Sequence, residues 1–340
     1  MTTIATELPH ETIWNLTNAL IASTCLSAVA TLGIADHVAD EPVDVVALAA
    51  RSGTDPDALN RVFRVLADHG IFARRAGGYA HTEASRLLRS DHPMSMRAFA
   101  SINGLPLFAN TFPQLAHSLR SGEPAVNLVA PGGIWAYLDS HPAEAHAFGQ
   151  AMTARAAADQ RAVLGVYDFA AFGCVADIGG GHGHLIRALL DANPAMRGIL
   201  FDLPDVIAAQ HNPHERLTRH AGDFFVDPLP QADAYILMEV IHDWADAEAT
   251  AILGAIRRAC ATGATVLIIE DVLDDEHADV RGHVLDVIML AVTGGRERTP
   301  AELGMLFART GFQLRRVMDT GGRMAVAEAV AVPTPLSEGS

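Results

Sequence analysis

The run Val175-Ala176-Asp177-Ile178-Gly179-Gly180-Gly181-His182-Gly183-His184-Leu185-Ile186 passes from a short apolar stretch through an acid into a glycine cluster, and then into a helical pattern. Glycines at 179, 181 and 183 let backbone amides approach a ligand with no Cβ in the way. The helix that follows turns its free N–H groups and the positive end of its dipole toward whatever is bound. A dinucleotide loop spaces its glycines G-x-G-x-x-G, and here the third position falls on His184 or, one register on, on Ile186. A pyrophosphate grip is therefore disfavoured. Asp177, just before the glycines at the strand end, suits an ammonium group or a water bound to one better than a phosphate. The loop reads as a site for an amino-acid-bearing cofactor.

About 20 residues on, Gly198-Ile199-Leu200-Phe201-Asp202-Leu203-Pro204 reads as a strand ending in a carboxylate, Asp202, where such folds hold ribose hydroxyls. Two hydroxyls on one carboxylate is adenosine chemistry. A third acid, Asp223 in Gly222-Asp223-Phe224-Phe225, ends the next short strand, where it can accept from an adenine amino group while Phe224 lies against the ring. Each acid alone is more often a loop residue or a helix cap; ordered on successive strands, the three point to one nucleoside. From Ala171 onward strand and helix alternate, with strands at Cys174–Ile178, Gly198–Asp202, Leu217–Ala221, Ala234–Met238 and Thr265–Glu270. That rhythm gives a parallel, doubly wound sheet, closed by a hairpin of Phe312–Met318 and Met324–Ala329.

Toward the N-terminus the pattern is helical from Ile13 to Leu32, again at Val43–Ala49, and again from Pro56, with Asp55 as cap and Pro56 at the first helical position. Ile71–Thr82 then reads as a short hairpin with a Gly77-Gly78 turn, so helix, helix and hairpin make a winged helix. The segment that would enter a DNA groove carries Arg61 and Arg64 but also Asp57 and Asp68, with no basic stripe nearby. The apolar helix Ile13–Val29 is too hydrophobic to lie free and reads as a dimerisation face, which predicts a homodimer. A second helical region from Met94 to Asp159 is broken at Leu105-Pro106, Phe112-Pro113 and Ala130-Pro131-Gly132-Gly133. Its Asn103, Phe108, Phe112, Trp135, Phe148 and Met152 can line a pocket for a flat substrate. The expected division is 1–95, winged-helix-like; 96–160, a helical linker contributing to the pocket; 161–332, the cofactor domain; and 333–340, a loose tail.

At 340 residues and 50% hydrophobic, the chain can build a sizeable core in two domains. Met1–Glu7 shows no basic segment followed by an apolar one, so no export signal is read and a cytoplasmic location is expected. Cys25, Cys174 and Cys260 are isolated in apolar contexts and read as reduced core residues, with neither disulfide nor zinc cluster expected. A net charge of −16 repels phosphate backbones and anionic lipid surfaces, so neither nucleic acid nor membrane is an expected partner.

After the fourth strand comes Leu237-Met238-Glu239-Val240-Ile241-His242-Asp243-Trp244, which sets an imidazole at the carboxyl end of the sheet. Histidine can take a proton near neutral pH, which is what turns a phenol of pKa about 10 into a better nucleophile. Among 16 histidines, His242 is singled out by its place.

With the glycine loop, Leu203-Pro204, Gly222-Asp223-Phe224-Phe225, Ile241-His242-Asp243-Trp244 and Thr293-Gly294-Gly295-Arg296-Glu297-Arg298-Thr299, nearly the whole chain resembles the small-molecule O-methyltransferases. These are the S-adenosylmethionine-dependent enzymes of plant phenolic metabolism and of bacterial antibiotic and pigment pathways. The resemblance implies an α/β, doubly wound Rossmann-like methyltransferase domain with an N-terminal, mainly α-helical, winged-helix-like dimerisation domain. It implies S-adenosyl-L-methionine as cofactor, an aromatic hydroxylated small molecule as substrate, and in-line methyl transfer with His242 as general base. Asp177, Gly179 and Gly181 fall at the methionine part, Asp202 and Leu203 at the ribose, and Asp223 with Phe224 at the adenine.

Glu270, closing the fifth strand, and Glu297 match carboxylates that flank and orient the base. Asp243 and Met289 fall with Asn103, Phe148 and Met152 on the substrate side, Met289 matching a methionine that packs on the acceptor ring or else lying in ordinary helix core. Many members carry lysine four residues before the base, where this chain has Met238, whose backbone carbonyl could still serve the cofactor; the next residue, often tryptophan, is Glu239. C- or N-methylation on the same scaffold stays open at this point. So does a metal held by His242, Asp243 and His283, though no motif places a third ligand and none is expected. A winged-helix regulator that senses a small molecule would need a basic face that this acidic chain lacks.

Overall fold

The structure is a computed structural model that describes residues 8–210, 213–274 and 280–333; the Met1–Glu7 segment and the tail beyond Pro333 lie outside them. The chain divides into two compact units, Met1–Pro113 with Trp135–Ala157, and Gln114–Ile134 with Ala158–Ser340. The 96–160 stretch thus contributes to both. Arg97 is tied to the first unit by bonds from Nε to the Ala30 carbonyl (2.9 Å) and from Nη1 to Asp36 (3.0 Å). Residues Ala125–Leu128 pack instead on the helix Val280–Val292 of the second.

In the first unit α1 (Pro9–Thr31) buries Ser27, Val29 and Ala30 near its end, while Ile13, Trp14, Leu16, Leu20 and Ile21 stay 55–78% exposed. By length and composition alone α1 could cross a membrane. Asp44 caps α2 (Val45–Ser52) by accepting from the Val46 and Ala47 amides, and Asp55 caps α3 (Pro56–Asp68) by accepting from Ala58 at 2.9 Å, with Pro56 at the first helical position. Leu59, Phe63 and Leu66 share one face of α3 and bury it against a hairpin of β1 (Phe72–Arg75) and β2 (Gly78–His81), Phe63 stacking on Phe72 at 4.4 Å. Gly77 lies in the turn with Ala76, but Gly78 already pairs with Arg75 in the ladder, so the expected Gly-Gly turn is displaced by one residue. The reason is steric: a Cβ on Gly78 would strike the Val43 carbonyl of the strand-like segment that bridges to Tyr79. Helix α4 (Pro142–Val166) contains the boundary between the units. Phe148 on α4 stacks with Phe108 at 6.0 Å and meets Trp135 edge-on at 6.4 Å.

The second unit holds a seven-stranded sheet of β3 (Cys174–Ile178), β4 (Arg197–Asp202), β5 (Leu217–Ala221), β6 (Ala234–Met238), β7 (Thr265–Glu270), β8 (Phe312–Asp319) and β9 (Ala325–Ala331), in the order β5-β4-β3-β6-β7-β9-β8. The first five are parallel and the β8–β9 hairpin is antiparallel, as the alternating pattern predicts. Every residue of β7 is buried, which is why Thr-Val-Leu-Ile-Ile-Glu shows no in–out alternation: helices cover both faces of such a strand. Helix α5 (His184–Ala192) buries Leu185, Ile186, Leu189 and Leu190, α6 (Asp246–Ala259) buries Ile252, Leu253 and Ile256, and α7 (Val280–Val292) and α8 (Pro300–Arg309) complete the layers. Strand order reverses between β3 and β6. Open α/β sheets bind ligands outside the carboxyl ends of the strands at that reversal.

Candidate active site

Two turns leave the sheet at the reversal. After β3, Gly179, Gly181 and Gly183 take φ of +69°, +57° and +70°, a backbone region that disfavours any side chain. Gly179 donates to the Phe201 carbonyl at 2.8 Å and Gly181 to Asp202 Oδ2 at 2.7 Å, while Leu203 donates to Asp202 Oδ1 at 2.7 Å. Asp202 is thus pinned by one amide on each oxygen, with the remaining lone pairs left for further donors. Gly180 was passed over in the sequence, yet a Cβ there would meet Asp177 and Leu200 at 2.5 Å. The signal was its place in an unbroken run of three glycines.

Asp177 lies beneath this loop, 1% exposed, with Oδ2 unpartnered. Burial, reinforced by the charge of Asp202, pushes its carboxyl up to about 7. Burial raises Asp202 as well, against the two amides that hold its charged form. Such a cradle is satisfied by hydroxyl and ammonium donors and repels phosphate, so these residues fit a nucleoside that carries an amino acid. Asp223 sits two residues beyond the end of β5 rather than on it, and its Oδ1 accepts from the Phe225 amide at 2.8 Å, a local turn bond that stops the strand at Ala221. Phe224 lies near Gly179 and meets Trp244 edge-on at 5.9 Å.

After β6, Met238 ends the strand, Glu239 turns the chain, and Ile241–Asp243 forms a single 3₁₀ turn. Val240 approaches the glycine loop: a Cβ on Gly179 would lie 3.0 Å from its Cγ2. His242 is 3% exposed, and Nδ1 stands 2.7 Å from Glu297 Oε1. An ionised carboxylate only accepts, so Nδ1 carries the proton and Nε2 is left to exchange one. Asp243 lies 3.8 Å from Nε2, beyond hydrogen-bond reach.

Glu270 does not touch the ring. Its Oε2 accepts from the His242 backbone amide at 3.1 Å, so it fixes the turn and acts on the imidazole only through its charge. Burial alone pulls the imidazole pKa down, but the hydrogen bond to Glu297 and the charges of Asp243, Glu297 and Glu270 together push it up to about 10. Burial also lifts Glu270 well above the ordinary glutamate range.

Three supports of this turn were missed in the sequence. Arg298, 1% exposed, donates to the carbonyls of Ile241 (3.2 Å) and Trp244 (2.9 Å) and to Asp246 (2.9 Å). Gly295 is bare because a Cβ would run into the His242 carbonyl, and Asp286 accepts from the Glu297 amide at 2.9 Å. Met289 is buried on α7, with its sulfur 3.8 Å from Thr293 Oγ1. Asn103, Phe148 and Met152 belong to the first unit, Asp243 and Met289 to the second, and Asn103 donates to Ser23 on α1 at 3.2 Å.

The glycine loop and the buried histidine turn lie within a match to the O-methyltransferase domain over residues 112–313, preceded by a match to the O-methyltransferase dimerisation domain over residues 14–91. The chain belongs to the O-methyltransferase family. Methyltransferases of this family use S-adenosylmethionine. Among its relatives, a phenazine O-methyltransferase of Lysobacter antibioticus is 37% identical over 89% of this chain and 91% of its own. An 8-amino-8-demethylriboflavin N,N-dimethyltransferase of Streptomyces davaonensis is 36% identical over 89% of this chain and 90% of its own. A solved structure of an O-methyltransferase from neocarzinostatin biosynthesis, holding S-adenosylmethionine and 2-hydroxy-5-methyl naphthoic acid, superposes with a TM-score of 0.77 at 34% identity, covering 91% of this methyltransferase and 96% of that chain. All three relatives are similar to this methyltransferase across both of its family domains.

Proposed function

We propose that this methyltransferase acts on a hydroxyl of an aromatic small molecule of secondary metabolism, with His242 as general base. The observation that carries the reading is the buried His242–Glu297 pair on the turn after β6, joined through Val240 to the left-handed glycine loop after β3. When bound, S-adenosylmethionine supplies an electrophilic methyl group. Asp177, Gly179 and Gly181 are assigned to its methionine part, Asp177 from beneath the loop, Asp202 and Leu203 to the ribose, Asp223 and Phe224 to the adenine, and the Met238 carbonyl to a further contact.

His242 Nε2 accepts the proton of the acceptor hydroxyl, while Glu297 holds the ring in one tautomer and stabilises the imidazolium. Because its partners push the imidazole up to about 10, the neutral ring that accepts the proton becomes available as pH rises toward that value. Glu270 keeps the turn in place through the His242 amide. Asp243 and Met289, in the same unit as His242, are assigned to the acceptor. The exposed apolar face of α1, inside the dimerisation match, is assigned to a homodimer interface rather than to a bilayer, in keeping with a cytoplasmic enzyme.

The riboflavin-type relative makes amine acceptors the reading to test against. The experiment pairs methyl-labelled S-adenosylmethionine with matched hydroxylated and amino-substituted aromatics, and locates the label by mass spectrometry. An aryl methyl ether is expected. Label found only on nitrogen or carbon would overturn the assignment.

A further inference from the structure

Four side chains that the methyl-transfer chemistry leaves unused meet at the carboxyl end of β6. Glu239 directly follows the strand and, among the described residues, is the non-glycine residue with a left-handed backbone, at φ +54°. Its amide still donates to the Ile269 carbonyl at 2.9 Å, so the chain leaves the sheet at this residue and not before. Immediately beyond it come Val240, set against Gly179, and the turn that carries His242. Glu239 is the joint from which both hang.

A side-chain-bearing residue stays at positive φ only where its surroundings enforce it. The Glu239 side chain is held by Arg323, in the turn between β8 and β9. Its Nη2 donates to Glu239 Oε1 at 2.8 Å and to Asp159 Oδ2 of α4 at 3.0 Å, while Nη1 donates to Asp271 Oδ2, just after β7. All four side chains are 4–14% exposed. A planar guanidinium can serve several carboxylates at once in fixed directions, which a lysine ammonium does not do, and the three anions would repel one another without it.

We propose that Arg323 is a positioning residue for methyl transfer, acting through Glu239: its fork holds the left-handed joint and so fixes Val240 against the cofactor loop. The inference rests on the cofactor assignment made under Proposed function. Arg323→Lys keeps the charge and loses the fork. Calorimetric titration with S-adenosylmethionine is expected to show binding weakened about five- to twentyfold. Glu239→Gln, which leaves Arg323 with two full carboxylate partners, is expected to weaken binding in the same direction and carries the test if the lysine variant does not fold.

Glycine adopts the left-handed backbone unaided. In a Glu239→Gly background, therefore, adding Arg323→Lys should change the affinity less than about twofold, although melting temperature still falls through the altered bonds to Asp159 and Asp271. A purely structural role would lower the melting temperature and leave affinity alone. The proposal is overturned if Arg323→Lys and Glu239→Gln bind like the unmodified protein, or if Arg323→Lys costs the same factor in both backgrounds. Absence of any binding to the unmodified protein would instead sink the cofactor assignment itself.

Discussion

After β3 the chain leaves the sheet through Gly179–Gly183, a turn made of bare backbone; after β6 it leaves through Glu239–Trp244, a turn surrounded by buried charge. Both sit at the same reversal of strand order, yet they solve different problems. On the proposed function the first lets a ligand approach main-chain amides, so what matters is the absence of side chains. The second must hold one imidazole in one tautomer, so what matters is a set of partners: Glu297 on the ring, Glu270 on the amide, Arg298 on the flanking carbonyls. Damage to the first turn should appear in cofactor affinity, and damage to the partners of the imidazole in the second should appear in turnover and its pH dependence, while the Glu239 joint, through Val240, reaches the cofactor loop.

The largest effect is expected at His242. His242→Ala should lower kcat by about 10²–10⁴-fold with a phenolic acceptor while the Kd for S-adenosylmethionine, read by calorimetry, moves less than about twofold. A comparable loss of cofactor affinity would merge the two turns into one functional unit and break the comparison. Glu297→Gln comes next, with a loss of about 10²-fold. Removing that negative charge lets the imidazole pKa fall from about 10 toward the ordinary histidine value, so the rising limb of the kcat/KM–pH profile should move to lower pH. A limb at the unchanged position would detach Glu297 from the base.

The bare turn is sharpened by two neighbouring glycines. A Cβ on Gly180 would lie 2.5 Å from Asp177 and Leu200, whereas one on Gly181 would meet nothing within 4 Å and suffer only its φ of +57°. Gly180→Ala should therefore weaken cofactor binding more than about tenfold, and Gly181→Ala only about fivefold, the equivalent of ~1 kcal/mol of left-handed strain. Equal losses would mean that the space behind the loop is not what Gly180 protects.

The smallest effect concerns stability. With its carboxyl pushed up to about 7, Asp177 keeps a proton in the folded chain that the unfolded chain has already released, so stability falls as pH rises from the ordinary aspartate range of about 4 through 7. Asp177→Asn has no charge to bury. Its stability relative to the unmodified protein should grow by roughly 1–3 kcal/mol between pH 4 and 8 in denaturant melts. A difference that stays flat with pH would remove the charge of Asp177 from the account.

The parts of the site that could be read along the chain are those whose cause is local. Glycines that need positive φ, strands of β-branched residues buried on both faces, and helix caps such as Asp44 and Asp55 act over a few residues, so their signals lie next to one another. Glu270 and Glu297 were found through the resemblance, but not what each of them holds: Glu297 takes the ring, Glu270 only the amide. The strand bounds Leu217–Ala221 were legible, but Asp223 lies two residues past that end, where an Asx-type bond to Phe225 forms instead of a ladder bond. Gly295 and Arg298 stood inside a quoted motif and Glu239 beside one, but nothing local showed what they support, and Asp286, Asp159, Asp271 and Arg323 carried no signal of their own. Each is explained by a neighbour distant in sequence.

By itself the sequence determined a doubly wound cofactor domain behind a winged-helix dimerisation domain, and the family, because period, glycine placement and the order of acids on successive strands are properties of short segments. The tertiary structure alone decided which carboxylate touches which atom of His242, that Asp177 lies beneath the loop rather than in it, and that a left-handed glutamate is braced by an arginine 84 residues away. Charge and steric exclusion act through a few ångströms of space, and that distance is set only once the strands have paired.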